Sequence, residues 1–137
     1  GAGRMFRMLS AEKLETWLSD MGWASSRHDA RTLVCRHETS EGKVAVFVRL
    51  LDNWLVASVV PFLPTKNDVS FELLRWLLRQ NRDMNQSKFA LDEDGDVVLT
   101  AELPTESIDP SEAQGALAEL LDQAVRHRRT LRVASGA

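Results

Sequence analysis

Apolar residues recur at helical spacing in three stretches of the chain, and strand-like alternation fills much of the sequence between them. In the first stretch, LSAEKLETWLSDMGW, one helical face carries Leu14, Trp17, Leu18 and Met21. Ser10 stands where its hydroxyl can accept a hydrogen bond from the first turn. The pattern therefore predicts an opening helix with one buried stripe.

Three strands are predicted next, in TLVCRHET (32–39), KVAVFVRLL (43–51) and WLVASVVPF (54–62). A two-residue loop at Asp52-Asn53 would pair Leu50 with Leu55. One face of the sheet then carries Val44, Val46, Val48, Leu50, Leu55, Ala57 and Val59. The other face carries Ala45, Phe47, Arg49, Leu51, Trp54, Val56, Ser58 and Val60. Both faces are largely apolar, so we expect something to cover the second one.

The second helix, DVSFELLRWLLRQNRDMN, has an apolar arc that is wider than one packing surface needs. On a helical wheel the arc contains Phe71, Leu73, Leu74, Leu77, Leu78 and Met84, with Trp76 at its edge. This width suggests packing against more than one surface. Asn81 lies inside the arc, where its amide needs partners. Either a neighbouring backbone or a polar contact in an interface would supply them.

The stretch ALDEDGDVVLTAEL (90–103) is the strongest candidate for chemistry, because Asp92, Glu93, Asp94 and Asp96 surround Gly95. An EF-hand calcium loop that began at Asp92 would need glycine at its sixth position and glutamate at its twelfth. Those two positions hold valine and leucine, so the calcium-loop interpretation fails.

A β-hairpin explains the acidic stretch better. With a three-residue loop, Glu93-Asp94-Gly95, the residues Phe89 and Leu91 pair with Leu99 and Val97 on one apolar face. Gly95 then takes the left-handed position that such a loop requires. We therefore interpret the acids as a hairpin turn, with a weak surface cation site as the alternative.

The third helix, IDPSEAQGALAELLDQAVRHRRTL, begins with Asp109 as its N-cap and Pro110 in its first turn. The full order is α-β-β-β-α-β-β-α, which predicts one α+β domain over residues 9–131, with helices packed on a mostly antiparallel sheet. Residues 1–8 are typical of a cloning remnant and an N-terminal tail, and residues 132–137 of a C-terminal tail.

Composition and charge narrow the class of protein. The 137 residues are 44% apolar and 27% charged, as in soluble globular proteins, and the net charge is −3. This mild acidity argues against a dedicated nucleic-acid binder. The single cysteine, Cys35, leaves no internal disulfide and fits the reducing cytoplasm. No apolar run reaches membrane-spanning length, so no membrane partner is expected.

Catalytic and metal-binding patterns are not found in the sequence. His28, His37 and His127 lie far apart without metal-ligand spacing, and Cys35 stands beside no base motif. We therefore expect no metal, no cofactor and no catalytic residue, and we predict that the protein is not an enzyme.

One basic cluster, Arg126, Arg128 and Arg129, ends the third helix. These arginines could contact phosphate groups, which would make the protein a nucleic-acid-associated one. They could equally balance the carbonyl end of the helix dipole. Direct contact with nucleic acid is not expected, because no glycine-aromatic motif accompanies the cluster.

The segment LLRWLLRQNRDMNQSKFALDEDGDVVLTAELP (73–104), followed by a long capped helix, resembles the YbjN family of bacterial proteins. That family is similar in fold to the type III secretion chaperones, which have the same element order. The resemblance implies a homodimer that binds other proteins, possesses no catalytic residues and is linked to regulation or stress. The matching positions, Asn81, Asn85, Phe89, Asp94 and Gly95, have a structural role there.

These observations lead to a functional hypothesis. We expect a cytoplasmic homodimer that holds a partner protein through exposed apolar surface, as an adaptor or chaperone-like module. The candidate interface residues are Phe47, Trp54, Val56 and Trp76. The alternatives are a nucleic-acid-associated protein that uses the terminal arginines, and a small-molecule enzyme without a recognisable motif.

Overall fold

A computed structural model describes residues 9–63 and 69–134 of the chain. The three helices are α1 (Ala11–Asp20), α2 (Phe71–Asp83) and α3 (Pro110–Ala134). The six strands are β1 (Ser26–Asp29), β2 (Thr32–Thr39), β3 (Gly42–Leu50), β4 (Trp54–Val59), β5 (Ser87–Leu91) and β6 (Val97–Pro104). The predicted remnant at residues 1–8 lies outside the described residues. The last helix continues to Ala134, three residues into the expected C-terminal tail.

All six strands form one antiparallel sheet in the order β1-β2-β3-β4-β6-β5. The predicted α+β class is confirmed, with one additional strand. This strand, β1, has the sequence SRHD, and all four of its residues are exposed. Without buried positions it shows no alternation of apolar and polar residues, so the sequence pattern could not predict it.

The register of the central hairpin is the predicted one, because Leu50 pairs with Leu55 and Val48 with Ala57. The first predicted face of β3 and β4 is wholly buried, together with Leu99, Ala101 and Leu103 of β6. The residues of α1 and α3 that join this core are Leu14, Trp17, Leu18, Ala113, Ala116, Leu117, Leu120 and Ala124. Two helices thus cover one side of the sheet.

Capping side chains set the starts of the helices as predicted. The Ser10 hydroxyl accepts from the Lys13 amide at 3.1 Å, and Asp109 Oδ1 accepts from the Glu112 amide at 2.8 Å. This backbone hydrogen bond and a second one from the Ser111 hydroxyl lower the pKa of Asp109. One free amide in the first turn of each of these two helices is thereby satisfied.

The acidic hairpin has the predicted three-residue loop, with Phe89 paired to Leu99 and Leu91 paired to Val97. Gly95 adopts φ +82°, in the left-handed region. The prediction that Leu91 faces the core is wrong, because its side chain is 54% exposed. β5 is the edge strand of the sheet, and Leu91 is its last residue.

Asn81 completes the hydrogen bonding of this edge strand. Its Oδ1 accepts from the Phe89 amide at 2.7 Å, and its Nδ2 donates to the Phe89 carbonyl at 3.1 Å. The side chain thus replaces the missing neighbour of β5 at one residue and fixes α2 beside the strand. The first of the two interpretations of Asn81, a backbone partner, is confirmed.

We predict that Asn81→Ala lowers the free energy of unfolding by about 1–3 kcal/mol, since both backbone groups of Phe89 lose their partner. Urea denaturation followed by circular dichroism measures the loss. Asn85→Ala, at an exposed position just after α2, is the matched control and should change stability by under about 0.5 kcal/mol. Equal stability of the two variants would contradict this role of Asn81.

Candidate protein-binding surfaces

The second face of the sheet, which we call the open face, is centred on Phe47, Trp54, Val56 and Val60. Trp54 is 44% exposed, Val60 is also exposed, and Phe47 and Val56 are half-buried. Their positions alternate with the buried residues of β3 and β4, so they point away from α1 and α3. Three of the four predicted interface residues therefore share one accessible apolar surface.

Polar groups also lie within the open face. The register places Ser58 between Phe47 and Thr100, and the two hydroxyls lie 3.0 Å apart. The ring of His28 from β1 packs edge-on against Phe47, with 5.5 Å between ring centroids. Arg49 and Glu102 flank Val56 on the same face, so apolar and polar side chains are interspersed across the open face.

The fourth predicted interface residue, Trp76, lies elsewhere. It is half-buried and packs on His127 of α3 and Phe89 of β5, at centroid distances of 5.5 Å and 6.4 Å. His127 is buried, its Nδ1 lies 2.8 Å from the Gln123 carbonyl, and burial lowers its pKa. Trp76 thus lies apart from the open face and anchors α2 to the body of the protein, and its place in an interface stays a prediction.

A second apolar surface, which we call the α2–β5 surface, lies on the outer side of α2. Phe71 is 72% exposed and Leu78 is 68% exposed. Leu91 of β5 lines the same groove as Leu78. Between helix and strand runs a groove of about 270 Å³, lined by Leu74, Leu77, Leu78, Asn81, Phe89, Ala90 and Leu91. In the sequence, only the width of the apolar arc of α2 indicated this surface.

The arginines at the end of α3 form hydrogen bonds within the fold. The guanidinium of Arg128 donates to the carbonyls of Phe62, Pro61 and Lys43 at 2.8, 3.2 and 3.2 Å, and it lies over the Phe62 ring. Burial of the guanidinium lowers its pKa. Arg128 therefore ties α3 to β3 and to the segment after β4.

The neighbouring arginines form hydrogen bonds with acidic or hydroxyl side chains. Arg126 is bonded to Asp122 one turn earlier, and Arg129 donates to the Ser40 hydroxyl at 3.0 Å. Glu41 accepts from Arg132 at 2.7 Å, which holds the pKa of this carboxyl below its usual value. These contacts support the structural interpretation of the cluster over phosphate binding.

The acidic hairpin is organised by its own backbone. Asp92 Oδ1 accepts from the amides of Asp94 and Asp96, both at 2.9 Å. Carboxylate oxygens of Asp92, Asp94 and Asp96 come within 4.8 Å of one another. This geometry is that of a turn in which an aspartate accepts the loop amides.

Cys35 is fully buried, and burial raises the pKa of its thiol to about 11. The thiol is therefore protonated at neutral pH and unreactive as a nucleophile. Among the described residues, no helix combines the length and the hydropathy needed to cross a bilayer.

Comparison with known proteins identifies the family. A family model named YbjN, described as "Putative bacterial sensory transduction regulator", matches residues 10–132, which is most of the chain. No curated protein matches the sequence.

Solved structures share the fold at low sequence identity. YbjN from E. coli, described as "a putative transcription regulator", has a TM-score of 0.67 and 16% identity, over 91% of this chain and 92% of that one. The ExsC–ExsE complex gives 0.60 and 24%, over 85% and 88%. The ExoU–SpcU complex of the type III secretion system of Pseudomonas aeruginosa gives 0.59 and 22%, over 82% and 93%. The fold is thus the secretion-chaperone-like one that the sequence predicted.

We predict that Arg128→Lys lowers the free energy of unfolding by about 1.5–3 kcal/mol, because an ammonium group cannot reach three carbonyls at once. Arg126→Lys, which keeps the charge at an exposed pair, should change it by under about 0.5 kcal/mol. Urea denaturation of both variants makes the comparison. If Arg128→Lys is as stable as the wild type, the structural role of Arg128 is wrong.

Proposed function

The chain belongs to the YbjN family, and from this premise we propose that it is a non-catalytic adaptor that acts as a homodimer and holds a partner protein on the open face of its sheet. The observation that carries the proposal is the accessible apolar group of Phe47, Trp54, Val56 and Val60. Exposure of these apolar side chains to water is unfavourable, and a bound protein would remove them from water.

The structural comparisons support a protein partner. Two of the similar structures, ExsC–ExsE and ExoU–SpcU, are complexes of two different proteins. In the present chain, Trp54 and Phe47 both lie on the open face, and aromatic residues are enriched among those that dominate binding energy. Cys35 is buried, and Arg126, Arg128 and Arg129 are paired within the fold, which supports a binding role over chemistry at these residues.

The setting that best fits this role is the bacterial cytoplasm. A single reduced cysteine and the description of the family as regulatory support this setting. We propose that the adaptor sequesters or presents its partner in a regulatory or stress response, with the dimer offering two open faces.

We predict that Trp54→Asp abolishes capture of the partner, since a carboxylate in the open face would be desolvated on binding. Immobilised wild-type protein and variant are incubated with an extract of the native host, and the captured proteins are quantified by mass spectrometry. Trp54 is 44% exposed, so the variant should fold, and circular dichroism verifies this.

The matched control is Val133→Asp, the same kind of change at a 64% exposed position of α3. This variant should capture the partner as well as the wild type does. Equal capture by Trp54→Asp and Val133→Asp would contradict the open face as the binding site. DNA binding that falls with rising salt and disappears in Arg126→Ala/Arg129→Ala would replace the adaptor by the nucleic-acid alternative.

A further inference from the structure

A cavity of about 410 Å³ lies at the margin of the open face, next to the segment that follows β4. Ala45, Val60 and Pro61 form an apolar part of its wall. Val60 belongs to both the cavity and the open face, and Ala45 precedes Phe47 by two residues of β3, about 7 Å. A segment that is bound on the open face can therefore extend into this cavity.

Arg128 lines the same cavity, and its guanidinium is held in a fixed position. Its Nε, Nη1 and Nη2 atoms donate to the carbonyls of Phe62, Lys43 and Pro61, respectively. A guanidinium has five N–H donors. One N–H on each Nη atom is therefore left without an acceptor among the described residues. Two fixed donors on one positive charge suit a carboxylate, and little side-chain freedom is lost when it binds.

The other charged groups of the cavity indicate which kind of anion fits. Lys43 adds a second cation, because its exposed pair with Glu38, at 3.8 Å, is a weak one. Glu41 also lines the cavity, but its carboxylate accepts from Arg132 at 2.7 Å. A nucleic acid would bring a row of phosphates close to Glu38 and to Glu102 of the open face, whereas a protein segment needs to supply only one carboxylate.

We propose that this cavity binds an aspartate or glutamate side chain of the segment that the open face holds. The inference rests on the proposed adaptor function and adds the chemistry of the partner. In an extended segment, the next side chain on the same side lies two residues away, about 7 Å, and so reaches the level of Phe47. The partner therefore carries an acidic residue and a large apolar residue that are separated by one position.

The first test uses two fluorescein-labelled peptides with amidated C-termini, which differ only in a glutamate or a glutamine two positions from a phenylalanine. Fluorescence anisotropy measures their affinity for the wild-type protein. The glutamate peptide should bind about tenfold more tightly or better, as expected for a hydrogen bond to a charged group. Equal affinities, or no binding of the glutamate peptide at millimolar concentration, would overturn the proposal.

A third peptide tests the spacing. Its glutamate stands directly beside the phenylalanine, so the two side chains of an extended segment point in opposite directions. This peptide should bind no more tightly than the glutamine peptide. If it binds as well as the first peptide, the extended arrangement is wrong.

Substitutions at Val60 change the charge of the cavity without altering Arg128. Val60 is 40% exposed, so Val60→Lys and Val60→Glu should fold, and circular dichroism verifies this. The preference for glutamate over glutamine should rise about threefold in Val60→Lys and disappear in Val60→Glu. Val133→Lys and Val133→Glu, at a 64% exposed position of α3, should keep the wild-type preference. An unchanged preference in both Val60 variants would contradict the site.

Nuclear magnetic resonance tests the contact with Arg128 directly. In protein labelled with ¹⁵N, the Nε–H signal of Arg128 should shift when the glutamate peptide is added and stay in place with the glutamine peptide. If the signal does not move while the glutamate peptide binds, the carboxylate lies elsewhere and the proposal is wrong.

The outcomes separate this inference from the adaptor function. If Trp54→Asp loses the partner from the host extract and Val60→Glu keeps it, the adaptor stands and the inference fails. If Trp54→Asp captures the partner as Val133→Asp does, the adaptor fails, while a glutamate preference that disappears in Val60→Glu still supports the cavity as a carboxylate site. An oligothymidine probe that displaces the glutamate peptide would assign the cavity to phosphate and overturn the inference.

Discussion

The structure depends on one constraint: two helices can cover only one face of a six-stranded sheet. Helices α1 and α3 bury the face that carries Val46, Leu55 and Leu99. The described residues provide no such pair of helices for the opposite face of the sheet, so Trp54 and Val60 are left exposed. The helix that could have provided a cover, α2, lies beside the edge strand β5 instead. Both exposed apolar surfaces follow from this division.

The position of α2 depends on few groups, and each is specific. Asn81 binds the edge of β5 through both of its amide atoms, and Trp76 packs on His127 and Phe89. Because these contacts use the inner side of the helix, its outer side keeps Phe71 and Leu78 in water. Asn81, a polar residue within an apolar arc, thus has a physical explanation. Its amide forms the hydrogen bonds that a neighbouring strand would otherwise form.

Sequence patterns predicted most of the fold and part of the candidate site. Alternation in β3 and β4 gave the correct faces and register, because side chains on one buried face obey a period of two. The strand β1 could not be predicted, since its four exposed residues carry no such period. Trp54 and Trp76 were both predicted as interface residues because each belongs to an apolar surface wider than one packing contact needs. No sequence pattern distinguishes Trp76, which packs on the core from α2, from Trp54, which lies on the open face. Leu91 was placed inside because pairing predicts the face of a strand but not whether a helix reaches its end.

The open face of the sheet is the surface on which we propose that a partner protein binds. Hydroxyl-radical footprinting of the protein, alone and with the proteins captured from an extract of the native host, tests this proposal most directly. We expect oxidation of Trp54 to fall on binding while oxidation of the exposed Phe71 and Leu78 stays constant. Protection of Phe71 and Leu78 with unchanged Trp54 would contradict the proposal.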